Sequence, residues 1–463
     1  MKDVIIIGAG IAGLSAGFEL NKTNIDFQIL ETADRVGGSI ETLKIDDYLI
    51  ECGPNTFSSL GEEIFGLIKD LGIEKDLTHA NEEAKKRYVY HNGHLKLVPT
   101  NPVEFFKTDL LTRDGKKTVL EELLIPKEER EESVEDFFTR RFGREVLKNL
   151  IQPFLNGVYA GDVKKLSASA VFPKLKELEN KHKSIILGFI LSKGFKKSPN
   201  KLTLYSFKEG LEYLPQTIYK KIKSKITLGV NNLEITRAKD CFLINFKLNN
   251  KTINYATSSV LFTSPAYSVL NFMHLFPNQN TTELFQMEYL PISTVTQVID
   301  KSKLKNPLDG FGFLCTKEPH RKLLGTIWSS SVFPGRAPAS KALLTSFIGG
   351  ANFKKVTEIS EDEIKSIVTK DLCETLHISD QGSLETIHIK TYPYAIPQYH
   401  LGHLERLKRV NELMDKNYGL FFTGNYLYGI SINDTIKTSK LIVEKIKGFL
   451  KSEVKKQGVL VAK

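Results

Sequence analysis

The chain has 463 residues, of which 41% are apolar, and this length favours two or three folded domains over one simple core. Lys and Arg number 64 against 54 Asp and Glu, so the formal net charge is +10. This mild excess fits an anionic small molecule or an anionic lipid surface. The sequence lacks zinc-finger, helix-turn-helix and Arg-rich patterns, which argues against a nucleic-acid partner.

The N-terminal residues predict a buried strand rather than an export signal, because glycines interrupt the apolar run Val4–Ile7 almost at once. No apolar run reaches the roughly 20 residues that a membrane-spanning helix needs. The cysteines lack the spacing of a disulfide frame, a redox dithiol or a zinc site; they are Cys52, Cys241, Cys315 and Cys373. We therefore expect a cytoplasmic protein, or one that lies peripherally on the cytoplasmic face of a membrane, and no metal site.

The hydrophobic pattern predicts an α/β fold, α+β overall, that begins with a βαβ unit. Val4–Ile7 and Phe27–Leu30 are apolar runs of strand length, and Leu14–Leu20 between them has a helical pattern. A second strand-to-helix junction occurs near the C-terminus, where Gly419–Thr423 leads into a helical pattern from about Asp434. Both ends of the chain therefore predict one nucleotide-binding domain, which the remaining segments interrupt.

Between these ends, long helical patterns predict an inserted helical domain. Ile226–Tyr255 then alternates as strands do, with a hairpin turn at Asn249-Asn250, and further strand patterns follow. We expect a discontinuous nucleotide-binding domain at residues 1–92, 201–240 and 405–463, a helical domain at 93–200 and a strand-rich domain at 241–404.

The turn after the first strand carries a dinucleotide-binding motif, Gly8-Ala9-Gly10-Ile11-Ala12-Gly13. Glycines let the backbone turn tightly there, and they let a pyrophosphate approach the positive end of the helix that follows. Glu31 ends the second strand about twenty residues later, where its carboxylate can accept hydrogen bonds from a ribose 2′-hydroxyl. Such a carboxylate argues against a 2′-phosphate, but NAD and FAD both fit this pattern.

Three further segments resemble the FAD signature of the amine oxidase and phytoene desaturase superfamily: Arg35–Gly38, Glu51–Thr56 and Phe421–Ile432. The resemblance implies that FAD binds non-covalently to a Rossmann-type domain. Arg35 and the second glycine pair would contact the diphosphate, and the following loop would lie along the flavin. The residues assigned to FAD are Gly8, Ala9, Gly10, Ile11, Ala12, Gly13, Glu31, Arg35, Gly37, Gly38, Ser39, Gly53, Pro54, Asn55, Thr56, Val230, Leu404, Gly424, Ile430, Ser431 and Ile432.

Within that superfamily, the middle of the chain resembles the family of protoporphyrinogen and coproporphyrinogen oxidases. The match is sharpest at Glu132–Phe138, Phe142–Leu147 and Pro153–Asp162, and it continues in family order through Phe333–Pro338 and Phe347–Gly350. The resemblance implies a strand-rich substrate-binding domain and an inserted helical domain that rests on a membrane. It also implies oxidation of protoporphyrinogen IX to protoporphyrin IX in haem biosynthesis. Dioxygen would be the acceptor for three successive two-electron hydride removals.

The resemblance assigns substrate-binding residues, and it assigns no catalytic residue beyond the flavin. Arg87 corresponds to an arginine that pairs with a substrate propionate, and Gly157 to a position where a backbone carbonyl approaches the reacting carbon. Leu314, Ile327 and Phe347 fall where the family places the groups that enclose the macrocycle. Because a tetrapyrrole is a wide apolar disc, buried area and ring contact should dominate its binding.

Two other features follow from the same resemblance. Ala160 stands where the family often has a second glycine, a departure that would narrow the pocket. The apolar run Ile185–Leu191 suits either shallow insertion into an anionic lipid surface or a buried helix with solvated lysines. The lysines around it are Lys181, Lys183, Lys193, Lys196 and Lys197. Family members often form homodimers, and a ferrochelatase-like protein is the expected recipient of the product.

Three alternatives stay open at this point. A coproporphyrinogen III oxidase of the same family would act on a substrate with four propionates instead of two. An amine oxidase or carotene desaturase would explain the FAD motifs but not the middle of the chain. A non-catalytic flavoprotein that binds a tetrapyrrole and delivers it to a partner would carry similar motifs.

Overall fold

The expected βαβ start is confirmed in the computed structural model, which describes residues 1–191, 203–276, 281–318, 320–416 and 419–461. Strand Lys2–Ile7, helix Ile11–Asn21 and strand Phe27–Leu30 follow one another, and the two strands pair in parallel. Val4, Ile5 and Ile6 are fully buried. A run of consecutive buried residues is typical of a parallel strand that is covered on both faces.

A large first sheet surrounds this N-terminal strand, and its members come from distant parts of the chain. Their order is Ile226–Thr227, Phe27–Leu30, Lys2–Ile7, Lys251–Phe262, Phe242–Leu248 and Asn231–Arg237, with Leu420–Phe422 also paired to Lys251–Phe262. Helix Ile11–Asn21 packs against helices Tyr213–Ile222 and Ile432–Val461. The two ends of the chain therefore share one α/β unit, as the sequence predicted.

A second sheet has mainly antiparallel neighbours, in the order Glu385–Pro397, Tyr289–Asp300, Lys341–Gly349, Leu323–Ile327, Gly312–Cys315, Tyr88–His91 and His94–Leu97. Asn92 and Gly93 both have positive φ and join the last two strands, as expected for a tight hairpin turn. Helix Glu361–Leu376 covers one face of this sheet and contributes Ile364, Val368 and Leu372 to a shared core. The opposite face is therefore left for other contacts.

The inserted segment begins with strand His94–Leu97 of the second sheet and is helical in the rest of its described part. Its helices are Pro102–Lys107, Arg113–Glu121, Val134–Val146, Gln152–Val158, Ala168–Val171, Pro173–His182 and Ile185–Leu191. A buried ionic network joins them, in which Arg141 donates to Glu122 at 3.0 Å and to Glu179 at 2.6 Å. The Glu122 carboxylate also accepts from the Ile185 N–H at 2.8 Å, so it caps the apolar helix. Lys193, Lys196 and Lys197 lie outside the described residues.

The remaining elements are strands Thr42–Ile45, Tyr48–Glu51, Phe57–Ser58, Leu77–His79 and Leu204–Phe207, and helices Glu62–Leu71, Ala266–Val269, Thr282–Phe285, Ser329–Val332 and His403–Lys416. Within the described ranges, no helix has both the length and the apolar content that are needed to cross a membrane.

The strand pairing corrects two of the expected domain boundaries. Tyr88–His91 falls in the range 1–92 but pairs with Gly312–Cys315 of the second sheet. Phe242–Leu248 and Lys251–Phe262 fall in the range 241–404 but lie in the first sheet. The physical reason is that Lys251–Phe262 is long enough to pair with Phe242–Leu248 along its first half and with Lys2–Ile7 along its second half. We propose to place these boundaries before Arg87 and after Phe262.

Candidate functional site

The carboxyl ends of the parallel strands meet at the glycine turn. Gly8 follows the first strand with a φ of +110°. The hydroxyl of Thr263, which follows the neighbouring strand, donates to the carbonyls of Ile7 at 2.8 Å and of Gly8 at 3.0 Å. A Cβ at Gly13 would overlap the Gly8 carbonyl oxygen. The helix can therefore begin this close to the strand only because residue 13 has no side chain.

The carboxylate of Glu31 lies beside this turn. It accepts hydrogen bonds from the backbone N–H of Ala9 at 2.6 Å and of Ala33 at 2.9 Å. The Val230 N–H donates to the Glu31 carbonyl at 2.9 Å. A Cβ at Gly10 would meet no atom within 4 Å, so the space in front of the turn is open. An open approach to backbone N–H groups, with a carboxylate beside it, fits a dinucleotide.

The second glycine pair packs directly on the turn. The Gly37 N–H donates to the Ala9 carbonyl at 2.9 Å, and a Cβ at Gly38 would lie 3.3 Å from the Gly10 Cα. Both glycines have positive φ, +103° and +61°. The Arg35 guanidinium donates to backbone carbonyls of its own segment, those of Val36, Gly38 and Ile40. These hydrogen bonds stabilise the backbone conformation of the segment that would bind the diphosphate.

The loop that follows the Tyr48–Glu51 strand lies against the same place. A Cβ at Gly53 would overlap the Ser39 carbonyl oxygen, so the two backbones touch directly. The Asn55 side chain donates to the Gly53 carbonyl at 3.0 Å. Gly53, Pro54, Asn55 and Thr56 are all half-buried. The structure therefore brings Ser39 and this loop to the glycine turn.

The C-terminal segment that is predicted to bind the cofactor lies at the same edge of the first sheet. Gly424 follows the last strand of that sheet with a φ of +153°. The Ser431 hydroxyl accepts from the Asp434 N–H at 3.1 Å and so caps the final helix. Ile432 is buried, and Ile430 packs against the core of the helical segment.

Leu404 is not brought to the other predicted cofactor residues. Its side chain is half-exposed and lines a surface groove with Pro173 and Lys181 of the helical segment. The preceding residue makes the inward contact instead, because the His403 ring hydrogen-bonds the Leu427 carbonyl at 2.8 Å. Helical geometry turns adjacent side chains by about 100°, so Leu404 and His403 face different surroundings.

The predicted apolar substrate residues lie on one face of the second sheet. Leu314 is opposite Gly325, and Gly325 is opposite Phe347 on the next strand. Ile327 is two residues beyond Gly325 and so points to the same side. A Cβ at Gly157 would lie 2.5 Å from a Leu314 methyl group, so the Gln152–Val158 helix packs directly on this face. This face is the one that helix Glu361–Leu376 leaves uncovered.

Arg87 lies beside this apolar face. Its guanidinium carbon is 5.6 Å from the ring centroid of Phe311, which packs near Ile327. The residue is half-buried, and burial lowers the pKa of the guanidinium. The described residues include no carboxylate within ion-pair distance of it. A half-buried cation of this kind is suited to receive a carboxylate from a ligand.

Ala160 has the backbone conformation that favours glycine, with a φ of +49°. Its carbonyl accepts from the Ala351 N–H at 2.7 Å, and a Cβ at Gly350 would lie 2.7 Å from the Ala160 Cβ. Ala160 also belongs to the apolar cluster that includes Phe347. The methyl group therefore occupies space beside the predicted substrate residues, where the family often has glycine.

Sequence reasoning missed three polar contacts that join the cofactor segments to the second sheet or to the loop after Ser329–Val332. They are Glu41 with Lys390 at 3.0 Å, Cys52 with His388 at 3.6 Å, and Glu51 with Arg336 at 3.1 Å. Burial raises the pKa of the Cys52 thiol to about 12. Partners nearly three hundred or more residues apart carry no local signal, so only the folded chain could reveal them.

No set of three or more His, Cys, Asp or Glu residues in the described part of the chain could hold a metal ion.

Comparison with known proteins identifies the family to which the chain belongs. The model of the family described as "Flavin containing amine oxidoreductase" matches residues 11–446. The chain belongs to this family. It is therefore a flavin-dependent oxidoreductase, and the open glycine turn with Glu31 fits that cofactor.

Individual relatives cover nearly all of the chain. It is 30% identical over 96% of its length to the coproporphyrinogen III oxidase of Bacillus subtilis, covering 97% of that protein. It is 31% identical over 97% of its length to the chloroplastic protoporphyrinogen oxidase of Nicotiana tabacum, covering 86% of that protein. A crystal structure from Exiguobacterium sp. 255-15, of a protein provisionally named protoporphyrinogen oxidase, aligns with a TM-score of 0.80 and 25% identity. That alignment covers 96% of this chain and 98% of the other.

The glycine turn of this flavin-dependent oxidoreductase yields a paired prediction. Gly10→Val fills only the open space, so its free energy of unfolding should stay within about 1 kcal/mol of the parent value. Its affinity for FAD should fall at least about tenfold, because the pyrophosphate needs close backbone approach. Gly13→Val should instead destabilise the fold by about 3 kcal/mol or more. Urea unfolding and calorimetric FAD titration measure both quantities, and equal loss of stability in the two variants would contradict the assignment.

Proposed function

We propose that this protein oxidises protoporphyrinogen IX to protoporphyrin IX, with non-covalent FAD as cofactor and dioxygen as electron acceptor. One observation carries the proposal. Leu314, Ile327 and Phe347 share one face of the second sheet, with Gly157 packed on that face and Arg87 beside it. An apolar face of this kind with a cation at its margin suits a wide apolar macrocycle that bears carboxylates.

The conversion removes six electrons from the macrocycle, so a two-electron cofactor acts three times for each product. When bound, FAD supplies hydride acceptance and returns the electrons to dioxygen. The residues of the chain would bind and orient the substrate. Leu314, Ile327 and Phe347 exclude water from the ring, and Arg87 fixes its orientation by pairing with one propionate.

A second candidate substrate is coproporphyrinogen III, and a specific observation favours keeping it. The Bacillus subtilis relative bears the name of coproporphyrinogen III oxidase and matches the chain as fully as the tobacco relative does. The two substrates differ in their number of propionates, four against two. Steady-state oxidation of both porphyrinogens, followed by porphyrin fluorescence, decides between them. We expect a higher kcat/KM with protoporphyrinogen IX, and a large preference for coproporphyrinogen III would overturn the proposal.

Arg87 yields a prediction on substrate binding. Arg87→Ala should raise KM for the porphyrinogen roughly 10- to 100-fold, because a hydrogen bond to a charged group contributes about 1.5–3 kcal/mol. The kcat value should change only a few-fold, since the propionate contact is the same in the ground and transition states. Lys86→Ala is the matched control, because Lys86 is exposed and already pairs with Asp309. A fall in kcat with unchanged KM would refute this role.

We also propose that the helical segment rests on a membrane surface. Its helices and their connections expose many large apolar side chains. They are Val103, Phe106, Leu120, Leu123, Leu124, Phe154, Val158, Leu187, Phe189, Ile190 and Leu191. Leu124 is 83% exposed and Ile190 is 53% exposed, and their two elements are in contact. Exposed apolar side chains on contacting elements, with lysines in the same segment, suit shallow insertion among anionic lipids.

The membrane proposal predicts the behaviour of a double variant. Leu124→Glu/Ile190→Glu should pellet with phosphatidylglycerol-containing vesicles at least about tenfold less than the parent, because two apolar anchors become charged. Leu441→Glu is the control, since Leu441 is 59% exposed on the C-terminal helix, away from the helical segment. If the control loses as much binding as the double variant, or the parent protein does not pellet, the surface is not a membrane anchor.

A further inference from the structure

Arg336 follows helix Ser329–Val332 and is buried against the Glu51–Thr56 loop, called the cofactor loop below. Burial of a charged guanidinium is uncommon. Its side chain is 3% exposed, and that of its partner Glu51 is 5% exposed. Burial lowers the pKa of Arg336 and raises the pKa of Glu51, because each charge loses its hydration. A buried ion pair commonly adds little net stability over an apolar pair of similar volume. Arg336 and Glu51 therefore call for an explanation beyond stability.

The two side chains connect several separate segments of the chain. Glu51 accepts hydrogen bonds from the Thr42 hydroxyl at 2.7 Å and from the Leu211 N–H at 2.9 Å. One guanidinium nitrogen of Arg336 lies 3.1 Å from Glu51 and donates to the Ser206 hydroxyl at 2.7 Å. The Arg336 carbonyl also accepts from the Leu49 N–H at 3.1 Å. Both the backbone and the side chain of Arg336 therefore hold the Tyr48–Glu51 strand from which the cofactor loop begins.

The other terminal nitrogen of Arg336, Nη1, is buried and has no hydrogen-bond partner. Arg336 lines a small cavity together with Asn55 and Thr56 of the cofactor loop and with Ile327 of the substrate face. Its guanidinium thus lies between the cofactor loop and the substrate face. Because a buried donor without a partner is costly, its retention points to a functional constraint at this place.

We propose that Arg336 is a positioning residue that, through Glu51, fixes the Glu51–Thr56 loop in the conformation that holds the flavin. This inference rests on the cofactor site of the proposed function and extends it to a residue outside that site. A single guanidinium nitrogen, Nη2, contacts both Glu51 and Ser206, and the planar guanidinium fixes the directions of its N–H groups, whereas a lysine amine on its flexible chain rotates freely. Arg336 therefore acts on the flavin only through the loop.

The test compares flavin release with stability in the holoenzyme. Arg336→Met should release flavin at least about tenfold faster than the parent, and Arg336→Lys by a smaller factor. Flavin release is followed by the rise in flavin fluorescence, and stability by thermal unfolding. Because Arg336→Met leaves a buried, unpaired carboxylate, the double variant Arg336→Met/Glu51→Met is included, and we expect it to regain thermal stability. Its flavin should still be released about as fast as from Arg336→Met.

Arg321 provides the matched control, because it is another buried arginine. Its guanidinium donates to the Asp371 carbonyl and to the Thr375 hydroxyl, both at 3.0 Å, on helix Glu361–Leu376. Arg321→Met should lower stability while flavin release stays within about twofold of the parent rate. The proposal is overturned if the double variant regains the parent release rate, or if Arg321→Met accelerates release as much as Arg336→Met does. Neither measurement needs a porphyrinogen, so failure of the proposed reaction would be seen separately.

Discussion

The close approach of backbone to backbone at the glycine turn is the constraint on which the rest of the structure depends. Gly13 must lack a side chain for the first helix to begin against Gly8, and Gly37 pairs with the same turn. Thr263 closes the turn from the neighbouring strand. With these contacts made, N–H groups at a helix start face open space beside the Glu31 carboxylate.

This turn is completed by parts of the chain that are far apart in sequence. Strand Lys2–Ile7 pairs with Phe27–Leu30 on one side and with Lys251–Phe262 on the other, and Leu420–Phe422 pairs with the latter. The carboxyl ends of these parallel strands therefore deliver Glu31, Thr263 and Gly424 to one edge. Flavin binding and folding of the first sheet are linked for this reason, because a ligand that binds only the folded state stabilises it.

The second sheet carries the residues that are predicted to bind the substrate. The face away from helix Glu361–Leu376 presents Leu314, Ile327 and Phe347 in register. The polar contacts of Glu41, Cys52 and Glu51 hold the predicted cofactor segments against this unit. Apolar burial has no direction, whereas these contacts fix one relative placement. The proposed hydride removal would need such fixed placement and the exclusion of water more than an acid or a base.

The sequence predicted the local features well, because glycine turns and the hydrophobic periodicity of strands and helices depend on residues that are close together in the sequence. The predicted Asn249-Asn250 turn was confirmed by positive φ values at both residues. Local alternation identifies a strand but not its sheet, so Lys251–Phe262 was placed in the wrong domain. Likewise, resemblance selected Leu404, although its side chain faces outward. The contacts of Arg336 could not be predicted, since they join residues that only the folded chain brings together.

The most direct test of the central claim is anaerobic mixing of the purified flavoprotein with protoporphyrinogen IX, followed by visible absorbance. We expect the flavin absorbance near its oxidised maximum to bleach on mixing. It should return when air is admitted, while fluorescent protoporphyrin IX accumulates. A flavin spectrum that protoporphyrinogen IX leaves unchanged, in a protein that retains its flavin, would contradict the assignment of this site to porphyrinogen oxidation.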